Sequence, residues 1–214
     1  MLAALGLYGA ALLALAGLRW IDPPLTAVQA ERRIESWISP GEYRKRYRFV
    51  PLGRISPHVA HAVIAAEDSR FFEHRGLDWV EVKSAIEEEI ENGRARGAST
   101  LTQQLVKNLF LTTWRSPVRK ALEFPLAPPA EWVLGKRRIL ELYLNVVEWG
   151  PGVYGAEAAA QHHYGVPAAR ITREQAARLA AVLPAPLRRR PARLDRSAAR
   201  LLERLSLMGW CSYW

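Results

Sequence analysis

The chain has 214 residues, with 30 Lys+Arg against 21 Asp+Glu, 14 Gly, 14 Pro and one Cys. Half of it is apolar, too much for a disordered chain, and the length suits one domain with a short extra segment. The lone Cys211 excludes an internal disulfide framework and a Cys-rich zinc or iron–sulfur site, while the net charge of +9 asks for an anionic partner: nucleic acid, an acidic membrane face or a phosphorylated substrate.

Residues 1–18 carry no charged side chain and are Leu-rich, diluted by Ala and Gly. Extended through Arg19, Trp20 and Ile21, the run gives roughly 30 Å of helix at about 1.5 Å per residue, enough to cross a hydrocarbon core. Asp22-Pro23-Pro24 stops the helix, and Trp20 falls where an interfacial aromatic would sit. Residues 1–21 are expected to be a single transmembrane anchor; a cleaved signal peptide with an Ala14-x-Ala16 site and a buried soluble helix are the other readings. Arg19, Arg32 and Arg33 all follow the span, a charge bias that favours a cytoplasmic domain but does not settle topology.

Residues 31–34 are compatible with helix, and residues 43–50 alternate aromatic and basic side chains like a short strand. That alternation suits nucleic acid, lipid headgroups or a solvated strand face. Ser56-Pro57 supplies an N-cap and an N1 proline for a helix running through Val59 and Val63 toward Glu67. Asp78 and Glu81 open the next helix, Asn92-Gly93 ends it, and residues 94–97 read as a mobile loop. Thr100 and Gln103 then form a capping box. In the helix that follows, Gln103, Lys107, Gln104 and Asn108 share an arc of about 140°, with Leu101, Leu105, Val106, Leu109 and Phe110 on the remainder. This is either an ordinary amphipathic helix or a donor-rich surface for an oxyanion or a sugar.

Residues 135–149 also read as helix, with Lys136, Arg137 and Arg138 in a first turn whose dipole opposes them. Solvent and Glu141 screen these charges, or a bound anion offsets them. Gly150, Pro151, Gly152 and Gly155 form a turn before residues 156–160; Thr172 and Gln175 cap a further helix, and residues 195–208 are the last. There is no repeat, low-complexity tract or βαβ alternation.

Glu67-Asp68 closes an apolar helix, where partial desolvation and the negative end of the dipole would raise a carboxyl pKa toward that of a general base. A solvated Glu at a helix end is the alternative. His74 reads as structural, and the adjacent His162 and His163 would diverge on a helix rather than share a metal. Glu123 follows Arg119-Lys120, with Arg115 earlier; such a cluster forms surface ion pairs or binds a diphosphate.

Four ordered motifs carry a resemblance. They are Glu67-Asp68-x-x-Phe71-x-x-His74-x-Gly76, the run at residues 97–108 with Ser99, Thr100, Gln103, Gln104, Lys107 and Asn108, Arg119-Lys120-x-x-Glu123, and Lys136-x-x-Ile139-Leu140-Glu141-x-Tyr143-Leu144-Asn145. Over about residues 22–194 the chain resembles the peptidoglycan glycosyltransferases of family 51, most of all the monofunctional biosynthetic transglycosylases. The resemblance implies a mainly α, lysozyme-like helical catalytic domain over residues 22–214, preceded by the single N-terminal transmembrane helix at 1–21. It further implies a single-pass protein of the cell inner membrane with its catalytic domain periplasmic, polymerising lipid II into β-1,4-linked glycan with release of undecaprenyl diphosphate.

By motif, Glu67 is the implied general base. Glu123 is implied beside the departing diphosphate with Lys107, Arg115, Arg119 and Lys120, and Ser99, Thr100, Gln103, Gln104 and Asn108 are implied to line the donor site. No sequence feature demands a metal or cofactor, although Mg or Mn assists some relatives. The implied partners are lipid II, the growing glycan strand and the membrane, with room for proteins of cell-wall synthesis or division and none for nucleic acid.

No serine here has Lys three residues later and no Lys-Thr-Gly occurs, so transpeptidase activity is not expected. A lysozyme-like hydrolase, a basic nucleic-acid binder and a degenerate division scaffold are the competing readings. Two departures from the family pattern stand out. Pro125, Pro128 and Pro129 are expected to interrupt the helix after Glu123, and residues 161–165 replace a usual Tyr-Phe-Gly, a difference expected to be structural.

Overall fold

A computed structural model describes residues 2–38, 43–93, 97–114 and 116–208. Cys211, Arg115 and residues 94–96 of the expected loop lie outside the described residues. The helices are α1 (Leu2–Leu18), α2 (Ala27–Ile38), α3 (Pro57–Glu67), α4 (Trp79–Asn92), α5 (Leu101–Phe110), α6 (Pro117–Val146), α7 (Ala156–Tyr164), α8 (Arg173–Ala180) and α9 (Asp195–Met208). Three short strands, β1 (Arg46–Tyr47), β2 (Glu148–Gly150) and β3 (Val153–Tyr154), form a sheet in the order β1-β3-β2, parallel between β1 and β3 and antiparallel between β3 and β2. The expected mainly helical architecture is what the chain adopts.

The core is built around α3. Every side chain from Val59 to Ala65 is buried, so this helix has no solvent face and its apolar residues need no stripe. α8 and α9 pack on it, and α5 packs along α6 beside it. The Ser56 hydroxyl donates to the Ile171 carbonyl at 2.8 Å instead of capping α3, tying the start of that helix to the segment before α8.

α6 corrects an expectation. Its helical backbone runs through Pro125, Pro128 and Pro129 and breaks instead at Gly135, whose φ of 70° and ψ of 163° are open to glycine. Pro129 cannot donate to the carbonyl of Pro125, four residues back, and the Tyr8 hydroxyl of α1 donates to that carbonyl at 3.0 Å. The missing bond is thus replaced from a neighbouring helix.

α1 has 17 residues, about 25 Å at 1.5 Å per residue, and among the described residues no helix is long and apolar enough to cross a membrane. It lies against α6, with Leu15 fully buried. Arg138, one of the cations at the start of the second half of α6, donates to the Leu18 carbonyl at 2.9 Å and pairs with Asp22 at 2.8 Å and Glu141 at 2.5 Å. Lys136 pairs with Glu131 at 2.5 Å. Two of the three cations of that unfavourable first turn are therefore neutralised by carboxylates, and Arg138 caps the C-terminal end of α1.

Two strand boundaries also differ from expectation. Of residues 43–50 only Arg46 and Tyr47 pair, because β3 offers just two partners. Beyond them the chain is clasped by side chains. Fully buried Asn145 accepts the Val50 N–H and donates to the Val50 carbonyl, both at 2.9 Å, and Glu141 accepts the Leu52 N–H at 2.8 Å. The helix expected to reach Trp149 ends at Val146, since Val147 is extended and leads into β2. His162 and His163 do not diverge. Their rings lie 4.6 Å apart at the last turn of α7, His162 against Arg46 at 2.6 Å and His163 against the Trp149 carbonyl at 3.2 Å, a structural arrangement.

Replacing Asn145 by Leu leaves the Val50 N–H and carbonyl buried without partners, and should cost about 3 kcal/mol of unfolding free energy, read from the urea midpoint at unchanged m-value.

Candidate active site

Glu67 is the last residue of α3, and Asp68 turns the chain away from it. The Asp68 carboxylate accepts the Leu101 N–H, the first of α5, at 2.8 Å, and the Nε2 of buried His74 at 3.0 Å. The C-terminus of one helix is thereby fixed to the N-terminus of another. The Thr100 hydroxyl donates to the Gly76 carbonyl at 2.6 Å. Gly76 itself has a φ of 89° and is pressed so close to α6 that a Cβ would come within 2.8 Å of the Ala127 carbonyl oxygen.

This frame brings Gln104 to Glu67. The Gln104 Nε2 donates to Glu67 Oε2 at 2.8 Å, and the hydroxyl of fully buried Tyr143 donates to Gln104 Oε1 at 2.8 Å. Burial raises the Glu67 pKa above the ordinary carboxylate range, the Gln104 hydrogen bond and the charges of Lys107 and Arg189 oppose the rise, and Asp68 adds to it. The result is a carboxyl group more basic than a solvated one, which suits a proton acceptor.

The cationic group is assembled on the first turns of α6. Ser116 caps the helix by accepting the Arg119 N–H at 3.0 Å, with Pro117 following at N1. Glu123, only 3% exposed, is held between Arg119 and Lys120, the latter at 3.1 Å. Lys120 also donates to the Ser99 hydroxyl at 2.8 Å, which reaches across to the segment before α5. Burial, Arg119 and Lys107 together push the Lys120 pKa down to about 8. Lys107 thus acts electrostatically on both Glu67 and Lys120, so the carboxylate and the cations share one field.

Beside Glu67 lies a cavity of about 430 Å³, lined also by Asp78, Glu81, Ser99, Thr100 and Arg204 among others, and Lys120 meets its edge through the Ser99 hydroxyl. Glu67, Ser99, Gln104, Lys107, Lys120 and Glu123 therefore belong to one region. Thr100, Gln103 and Asn108 are at most 4% exposed. Gln103 Oε1 accepts the Thr100 N–H at 3.1 Å, completing the expected capping box, and Asn108 donates to the Gln104 carbonyl at 2.8 Å. Thr100 also lines the cavity, whereas the side-chain hydrogen bonds of Gln103 and Asn108 are made within the helix and its cap.

Arg189, Arg204 and Tyr143 are site residues that sequence reasoning missed. Arg189, anchored to the Ala181 carbonyl at 2.9 Å, and Arg204 on α9 arrive through packing of α8 and α9 on α3. Only the placement of Tyr143 in the fourth motif hinted at it.

Among the described residues the donor set closest to a metal centre is Asp68, His74 and Asp78. Its carboxylates are already engaged. Asp68 holds Leu101 and His74, while Asp78 accepts the Val80 and Glu81 N–H groups at 3.0 and 3.1 Å and the Arg70 Nε at 3.1 Å. The trio fits a structural clasp, not a site for Mg or Mn.

A family model described as Transglycosylase matches residues 32–208. The chain belongs to the transglycosylase family. It is 48% identical over 207 residues to a "Biosynthetic peptidoglycan transglycosylase" of Ectopseudomonas mendocina (strain ymp), covering 95% of this chain and 85% of the relative. Proteins of the same name from Laribacter hongkongensis (strain HLHK9) and Pseudomonas entomophila (strain L48) are 47% and 45% identical, covering 78% and 92% of this chain and 74% and 85% of their own lengths. Glycosyl transfer is therefore the reaction class.

Inorganic pyrophosphate should bind the cation cluster with an affinity that falls as pH rises through about 8, where Lys120 loses its charge. Calorimetric titration between pH 7 and 9 checks this, and Lys120→Met should flatten the dependence.

Proposed function

We propose that the chain is a peptidoglycan glycosyltransferase that polymerises lipid II into β-1,4-linked glycan and releases undecaprenyl diphosphate. The observation that carries the reading is a polar cavity that runs from half-buried Glu67 to Ser99, whose hydroxyl is bonded by Lys120, the neighbour of Arg119 and Glu123. The printed name of the relatives and the order of the four motifs support the substrate.

In this reading the 4-hydroxyl oxygen of the acceptor's N-acetylglucosamine forms its bond to C1 of the donor's N-acetylmuramic acid while its proton passes to Glu67. The bond from C1 to the diphosphate oxygen breaks and the leaving group takes the electron pair, so the α-linked diphosphate gives a β-glycoside. Charge grows on the departing diphosphate, and Arg119, Lys120 and Lys107, already positioned in a partly dehydrated cleft, stabilise it without reorganising. Glu123 holds the first two of these cations apart and in register, and Ser99 orients Lys120. By motif, Arg115 is proposed to act with these cations. A hydrolase working with one carboxylic acid leaves this cation cluster without a purpose.

The membrane is the proposed platform. α1 and α6 pack together, and they and the turn after α1 leave apolar side chains in solvent, among them Leu13 at 76%, Trp20 at 77%, Val118 at 70% and Trp132 at 87% exposure. Such a rim suits the headgroup boundary and lets α1, docked on the domain at Leu15, hold the cavity against the lipid that carries the substrate. The proposed setting is the outer face of the inner membrane, with glycan polymerisation as the chain's task and cross-linking left to other proteins.

Three assays test these statements. With lipid II as substrate, Glu67→Gln should lose at least about 10²-fold in rate, and an unchanged rate would remove the assigned base; finished glycan serves as the control for hydrolysis. Because Glu67 must be ionised and its pKa is raised, kcat/KM should fall as pH drops, with a midpoint above the ordinary carboxylate range. Trp132→Ser in the full chain should weaken partition into lipid vesicles about tenfold, measured by co-sedimentation.

A further inference from the structure

We infer that Tyr143 is a positioning residue for Glu67, acting through Gln104: its hydroxyl fixes the Gln104 amide in the orientation that turns an N–H toward the carboxylate. This deepens the proposed function and rests on its assignment of Glu67 as base.

The argument starts from the symmetry of a glutamine side chain. Its oxygen and nitrogen ends have nearly the same shape, so an unsupported Gln104 could present either to Glu67. Only the nitrogen end stabilises a carboxylate; the oxygen end would repel it. The acceptor-only carboxylate selects the nitrogen end, and Tyr143 holds that choice by donating to the oxygen end. Tyr143 is fully buried, its hydroxyl bonds Gln104 Oε1 at 2.8 Å, and Gln104 Nε2 is then left to donate to Glu67 Oε2 at 2.8 Å. Burial, with the negative charges of Glu67 and Asp68, raises the Tyr143 pKa well above its ordinary value, so the phenol keeps its proton throughout the working range. The chain of donors runs one way, and it occupies Oε2 while leaving Oε1 to take the acceptor's proton.

The surroundings hold both ends still. Tyr143 stands in the second half of α6, beyond the Gly135 break. That break is pinned by Glu131, which accepts from the Thr102 hydroxyl of α5 at 2.6 Å and pairs with Lys136, itself 4.4 Å from the Phe71 ring centroid. Gln104 stands on α5, the other side of this clasp. Other groups act on Glu67 as well. Lys107 on α5 and Arg189 after α8 favour its charged form and Asp68 opposes it, while Asp78, Glu81 and Arg204 line the same cavity. The Gln104 amide is held at both ends, its oxygen by the Tyr143 hydroxyl and its nitrogen by Glu67.

The test is a double-mutant cycle in the full-length chain: Tyr143→Phe, Gln104→Leu and both together, with lipid II polymerisation and the titration of the Glu67 carboxyl followed by 13C NMR. Tyr143→Phe should lower kcat about tenfold with KM within about twofold of wild type, and should move both the acid limb of kcat/KM and the Glu67 titration to higher pH. In the Gln104→Leu background it should add almost nothing, since the amide it orients is gone. Additive losses, or a Glu67 titration that Tyr143→Phe leaves in place, would overturn the inference. Thermal unfolding monitors the variants, and should Tyr143→Phe not fold, Tyr143→Met enters the same cycle with the same criteria. Failure here is distinguishable from failure of the proposed function. An active Glu67→Gln removes the base, whereas an inactive Glu67→Gln with an unmoved Tyr143→Phe titration removes the positioning role alone.

Discussion

Asp68 accepts the first N–H of α5 and the ring N–H of His74, and this pair of bonds sets how far the end of α3 stands from the start of α5. The remaining features of the cavity follow from that spacing. Glu67, one residue before Asp68, and Gln104, three residues after Leu101, can meet at 2.8 Å only because the two helix ends are joined. The carboxylate satisfies an otherwise orphaned helix N–H, and it is itself buried. A buried charge without such partners would cost several kcal/mol, so the clasp is favourable only as a complete set. This explains why His74 and Gly76 accompany the two acids in one motif. The ring completes the hydrogen bonding of Asp68, and the glycine lets the loop press against α6.

The chain's positive charge has two uses. Arg32 against Glu148, Lys136 against Glu131 and Arg138 against Asp22 and Glu141 are internal ties that hold α2, the break in α6 and α1 in place. Lys107, Lys120, Arg189 and Arg204 gather instead around the cavity or its field. The 30 basic residues therefore overstate the charge available to a partner, and the depressed Lys120 pKa is the cost of burying that ammonium group, and secondarily of crowding cations, where a diphosphate is proposed to leave. Membrane association in this reading depends more on exposed tryptophan than on charge.

Much was legible in advance where the signal is local. The caps at Thr100, Asp78 and Thr172, the glycine stop after α4 and the span of α9 follow from residues a few positions apart, and the structure agrees. Failures occurred where a distant group replaces a local one. Three prolines ought to break α6, yet Tyr8 supplies the hydrogen bond that Pro129 cannot, and the break moves to Gly135. Residues 43–50 have strand composition, but Asn145 and Glu141 take the bonds a partner strand would have made. Among the polar residues of α5, helical periodicity cannot say that Gln103 turns back to its own cap while Gln104 faces Glu67.

The sequence by itself determined the helical class, the caps, the four motifs and through them the family, because each depends on residues close in the chain or on their order. Only the tertiary structure decided which polar groups meet: that Lys107 feels both Glu67 and Lys120, that Arg189 and Arg204 come to the cavity, and that Tyr143 stands behind Gln104. Those encounters depend on helix packing and on desolvation. Both are properties of the assembled core, and neither is written in any single segment.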